Sequence, residues 1–70
     1  MKIRYDETVD AAYLRLNKED DRTPFGFTYC CDTDVVGAMI NLDFDCEGRL
    51  IGVEVLDASK KLPEYLLKND

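Results

Sequence analysis

Residues 41–55 read NLDFDCEGRLIGVEV, and two incompatible local folds can be drawn from them. Counted from Asp43, the string matches an EF-hand calcium loop at positions 1, 3, 6 and 12, filled by Asp43, Asp45, Gly48 and Glu54. Glu47 stands at position 5, where Asp or Asn is usual. The same letters also alternate apolar and polar on both sides of Asp45-Cys46-Glu47-Gly48, which is the period of a β-hairpin. Reach decides between the two. A strand rises about 3.3 Å per residue, so Glu54 would lie roughly 20 Å from Gly48 along the arm. Calcium ligands must lie within about 2.6 Å of the ion. The stretch is therefore expected to be a hairpin, with Asp45 opening a type I turn and Gly48 closing it in a left-handed conformation. The apolar pattern favours Leu42 opposite Ile51 and Ile40 opposite Val53, with a one-residue slip as the alternative. Asp43, Asp45 and Glu47 are left as weak candidates for incomplete cation binding at the turn.

Working outward, the dominant period remains two. Ile3 and Tyr5 share one face of a first strand, and residues 6–10 read as a tight connection whose Asp and Thr side chains can bond local backbone. Ala12, Leu14 and Leu16 alternate along a second strand, the expected hairpin partner of the first. Residues 17–22 are polar without periodicity and read as a solvated loop. Phe25, Phe27, Tyr29 and Cys31 then mark a third strand, with Pro24 at its start because proline has no amide hydrogen to donate. Val36, Ala38, Ile40, Leu42 and Phe44 mark a fourth, and Ile51, Val53 and Val55 a fifth. Asp57 reads as an N-capping residue before good helix formers; either one short C-terminal helix begins late, near Pro63, or a short turn at residues 58–62 precedes it, with Leu62, Tyr65 and Leu66 as the apolar stripe of that helix. The expected fold class is α+β in one domain, residues 1–70. It comprises a small, mostly antiparallel sheet of four to five strands, a meander of hairpins, with one short C-terminal helix packed on it.

Composition narrows the function classes. The chain has 70 residues, 15 Asp and Glu against 9 Lys and Arg, and a formal charge of −6. Phosphate backbones are bound by clustered Lys and Arg, and the acidic balance argues against nucleic acid. No apolar run approaches the roughly 18 residues of a membrane helix, and the opening residues already alternate rather than form a leader, so no membrane partner is expected. Cys30, Cys31 and Cys46 make an odd count with two adjacent residues, a poor disulfide framework that suits reduced thiols in the cytoplasm. Adjacent strand residues point to opposite faces, so Cys30 and Cys31 do not readily chelate one metal. The chain contains no His, the commonest general base near neutral pH. No nucleophile–base pair or phosphate-cradling glycine loop is legible either. Neither an enzyme nor a cofactor is expected. At this length a core is marginal and is often supplemented by a partner subunit.

The segments KIRYDETVDAAYLRL and INLDFDCEGRLIGVEVLDASKKL together resemble a small prokaryotic family, domain of unknown function 2283. Lys2, Ile3, Tyr5, Asp6, Asp10, Tyr13, Leu16, Leu42, Asp43, Phe44, Asp45, Gly48, Ile51, Gly52, Val53, Glu54, Asp57, Ala58 and Ser59 carry the resemblance, while residues 18–36 lie outside it. The resemblance implies a small antiparallel sheet with a C-terminal helix, an uncharacterised function and no catalytic residues. It also hints at an antitoxin-like binding role. The leading expectation is a noncatalytic protein-binding module that forms a homo-oligomer, a dimer first. The aromatic strand residues Phe25, Phe27 and Tyr29 are expected to be core or, if exposed, an interface. The alternative is a small acidic metal- or ligand-binding protein using the turn at Asp43, Asp45 and Glu47.

Overall fold

A computed structural model describes residues 1–68. Five strands run as β1 (Lys2–Asp6), β2 (Ala11–Arg15), β3 (Phe25–Cys30), β4 (Ile40–Asp45) and β5 (Leu50–Leu56). Two short helices, α1 (Thr33–Val36) and α2 (Ala58–Lys61), and a 3-10 turn at Glu64–Leu66 complete the described elements. The strands form one antiparallel sheet in the order β1-β2-β5-β4-β3. The expected five strands and antiparallel hairpins are present, but the meander is not. β5 inserts between β2 and β4, which gives a Greek-key arrangement. The reason lies in residues 16–24. A hairpin loop runs to about five residues, and this longer connection instead crosses the end of the β4–β5 hairpin to reach the far edge. It is tied there by Cys46 N–H donating to the Pro24 carbonyl at 2.9 Å and by Arg49 Nη2 donating to Thr23 Oγ1 at 3.0 Å.

The β4–β5 turn forms as expected, with Gly48 left-handed at φ 80°. Its register differs by two residues, Leu42 facing Val53 and Ile40 facing Val55. One residue comes from the turn, which closes with Asp45 N–H donating to the Arg49 carbonyl at 2.9 Å and so holds three residues in its loop. The other comes from a bulge where the pairing steps from Asp43–Gly52 to Phe44–Leu50. Two single shifts restore the original face. Between β3 and β4, Thr33–Val36 is helical, so Val36 ends a helix instead of opening the fourth strand, which begins at Ile40. Asp32 Oδ1 caps it by accepting from Asp34 N–H at 2.9 Å, and Gly37 ends it in the left-handed region. Local capping overrides the apparent alternation of Val36 with Ala38.

The C-terminal segment is also broken. Pro63 separates α2 from the 3-10 turn, so the stripe Leu62, Tyr65 and Leu66 is not realised. Leu62 packs against the core and Leu67 is buried, whereas Tyr65 is exposed. The buried cluster is Ala12, Val55, Ala58 and Leu67, with Tyr5, Leu14, Ile40, Val53 and Leu62 packed against it. The result is a slab, 33 × 31 × 17 Å.

Candidate functional site

Residues directly opposite one another in an antiparallel sheet share a face, so the register sorts every side chain. On the apolar face one row runs Tyr5, Ala12, Val55, Ile40. Ala58, Leu62 and Leu67 cover it. The next row crosses all five strands as Ile3, Leu14, Val53, Leu42, Tyr29. None of its members is buried, although Val53 and Leu42 lie on the inner strands. Beyond it, Phe27 stacks on Phe44 with ring centroids 4.9 Å apart, and Phe27 is 53% exposed. Phe25, Phe27 and Tyr29 are thus not core; β3 is an edge strand, and all three are exposed. Spacing alone does not single out Leu14, Leu42 and Val53 as companions of Tyr29, because only the register joins them.

The polar face is organised by hydrogen bonds. Its rows run Lys2, Arg15, Gly52, Asp43, Thr28 and Arg4, Tyr13, Glu54, Asn41, Cys30. Tyr13 lies across Gly52 and donates its hydroxyl to Asp43 Oδ2 at 2.7 Å, while Thr28 donates to Asp43 Oδ1 at 2.6 Å. A Cβ at residue 52 would overlap the Tyr13 hydroxyl, so this glycine is the space the ring occupies. Burial, and then the bond to Asp43, push the Tyr13 hydroxyl up from its ordinary 10.0 to about 12.

The turn carboxylates are employed differently from a metal site. Asp45 is buried at 1% exposure. Its Oδ1 accepts from the Arg49 and Glu47 amides at 3.0 and 2.9 Å, and its Oδ2 from Arg49 Nε at 2.8 Å. These bonds, the Arg49 amide foremost, hold its carboxyl below the usual 3.8. Asp43 is turned to the polar face, and Glu47 lies 3.8 Å from Arg49. Among the described residues, no group of three or more Cys, Asp or Glu side chains is placed to hold a metal ion. Cys30, Cys31 and Cys46 are unpaired, with Cys30 and Cys46 exposed and Cys31 half-buried.

Asp57 does not cap α2. It is left-handed at φ 53° and makes no side-chain cap bond. Asp10, 49 residues before Ser59, does so instead: its carboxylate accepts from the Ser59 amide at 2.9 Å and hydroxyl at 2.7 Å. Tyr5 donates to the same carboxylate at 2.7 Å. The Ser59 and Tyr5 hydroxyls hold Asp10 below the ordinary carboxylate range.

The fold and these contacts define a class: a small single-layer antiparallel-sheet protein with one bonded polar face and one half-covered apolar face. The chain belongs to the family described as "Protein of unknown function (DUF2283)", whose model matches residues 2–59. Searches of curated proteins and of solved structures each return no match. Several positions that carry the family resemblance meet in space as the Tyr5–Asp10–Ser59 clasp, the Tyr13–Gly52–Asp43 crossing and the Asp45–Gly48 turn. Each is a device that holds the fold.

Proposed function

We propose that the protein is a noncatalytic binding module that pairs with a second copy of itself through the uncovered part of its apolar face. The row Ile3, Leu14, Val53, Leu42, Tyr29, half-buried across the sheet and exposed at Tyr29, carries this reading. Area supports a second copy as its occupant. A folded monomer of 8.0 kDa has an accessible surface of about 4,450 Å² on the usual size scaling. This chain has 5202 Å², an excess of about 750 Å². Each partner in a standard interface contributes about 800 Å². Sheets also pack face to face at about 10 Å, which suits a slab 17 Å thick.

The chain has no His, and the carboxylates of Asp10 and Asp45 are committed to a cap and a turn, which supports a noncatalytic role. Unpaired thiols support a cytoplasmic location. Light scattering on the eluting protein should give twice the 8.0 kDa mass, and Phe27→Lys together with Tyr29→Lys should return it to the monomer with its circular dichroism unchanged. A monomer at every concentration up to the millimolar range would overturn the proposal.

A further inference from the structure

On the opposite face, three cations are drawn to one corner. Lys2 on β1 stands directly opposite Arg15 on β2, and Arg4 stands opposite Tyr13, one step further along the same face. Like charges placed opposite one another on a sheet repel and destabilise the pair. The chain carries an excess of acids, yet among the described residues only Lys2 of these three has a carboxylate partner, Glu19 at 3.0 Å. Among the described residues Arg4 has no ion pair within 4.0 Å. Arg15 is oriented by neutral acceptors, its Nε donating to Asn17 Oδ1 at 3.0 Å and its Nη2 to the Lys18 carbonyl at 3.3 Å. These bonds orient the guanidinium without neutralising it, and Glu19 and Asp21 act on its charge only at longer range. Lys2, Arg4, Tyr13, Arg15 and Glu19 line a recess of ≈ 360 Å³, at the lower end of the range for small-molecule sites, about 300–1,000 Å³.

We propose that this recess binds a small phosphate monoester or free phosphate. Within the lining itself three positive side chains against Glu19 leave two positive charges, a better match for a dianionic phosphate than for a single carboxylate, while Asp43 and Glu54 beyond Tyr13 and Asp21 near Arg15 lie outside that lining. Guanidinium groups present paired donors in the fork geometry that phosphate oxygens accept. The Tyr13 ring, held across Gly52 by its bond to Asp43, forms a fixed wall. The site lies on the face opposite the proposed dimer contact, so either proposal can fail alone.

The test is a titration of the uniformly labelled whole protein with inorganic phosphate and, separately, glycerol phosphate, followed by NMR. Chloride and acetate at matched ionic strength are the comparisons. Saturable shifts confined to β1, β2 and the Arg15 Nε–H signal are expected. Arg4→Gln and Arg15→Gln should each weaken binding about tenfold or more, the loss of one charge-assisted contact, while Lys60→Gln on α2 leaves it unchanged. Arg4 is exposed and, among the described residues, makes no ion pair within 4.0 Å, so its variant should stay folded, with circular dichroism as the check. Preference for glycerol phosphate assigns the site to esters, and equal binding assigns it to the phosphate group itself. Linear shifts, equal response to chloride or acetate, or unchanged binding in Arg4→Gln would overturn the proposal.

Discussion

At residue 52 the absence of a side chain is a structural component. Gly52→Ala would drive the Tyr13 hydroxyl off Asp43, and urea unfolding should register a loss of about 1–3 kcal/mol from overpacking and a broken bond. The same variant should return the Tyr13 hydroxyl towards 10.0 from about 12, read by tyrosinate absorbance. The raised value sets the alkaline behaviour. A group with a raised folded pKa contributes stability that is complete below its unfolded value and is lost as pH climbs through the folded one. The loss assigned to Tyr13 therefore falls between pH about 10 and about 12, and Tyr13→Phe should flatten stability across that window. Asp10 and Asp45 have the opposite sign, because both are held below 3.8. Their contribution is present above the unfolded value and disappears as pH falls through the folded one. Asp10→Asn and Asp45→Asn should each lower the urea midpoint at neutral pH and flatten the acid limb of stability against pH.

At the scale of elements, the β4–β5 hairpin depends on one backbone conformation. Gly48 is at φ 80° with nothing within 4 Å of the Cβ an alanine would carry, so Gly48→Ala meets no steric neighbour. Its cost should be that of the left-handed conformation, about 1–2 kcal/mol by urea unfolding, with Gly48→Asn costing less. Arg49 joins this turn to the long connection, through Asp45 at 2.8 Å and Thr23 at 3.0 Å. That connection holds only local turns, Asp21 N–H donating to the Lys18 carbonyl at 3.0 Å and Thr23 N–H to Asp21 Oδ1 at 2.9 Å, and neither states which strand comes next, which is why residues 16–24 are legible as a loop while their destination is not. The helix cap has the same character. Asp57 occupies the expected sequence position, but its left-handed backbone turns its side chain from the task, and Asp10 arrives through the β1–β2 turn.

For the molecule as a whole, a thin slab with few buried residues stands on a small core. Val55 is 2% exposed at its centre. Val55→Ala should cost about 2 kcal/mol in urea unfolding, two methyl groups' worth of transfer plus the space left behind. The proposed dimer makes a prediction at this scale too. When only the folded state associates, the thermal midpoint rises with protein concentration. The wild-type midpoint should therefore climb over a hundredfold concentration range, and that of the Phe27→Lys, Tyr29→Lys variant should not.

Local patterns determined what is local. Alternation marks the strands, Asp45 and Gly48 mark the hairpin turn, and the acidic string from Asp43 to Glu54 is resolved as a hairpin by its alternating flanks together with strand rise, because these signals act between residues a few positions apart. Tertiary structure decided everything that joins distant positions. It placed β5 between β2 and β4, moved the register by two, gave the cap of α2 to Asp10, left Phe25, Phe27 and Tyr29 on an exposed edge, and gathered Lys2, Arg4 and Arg15 at one corner. The physical reason is that period-two patterning states which face a residue takes but not which strand lies beside it. That choice is made by burial and hydrogen bonding summed over the whole sheet.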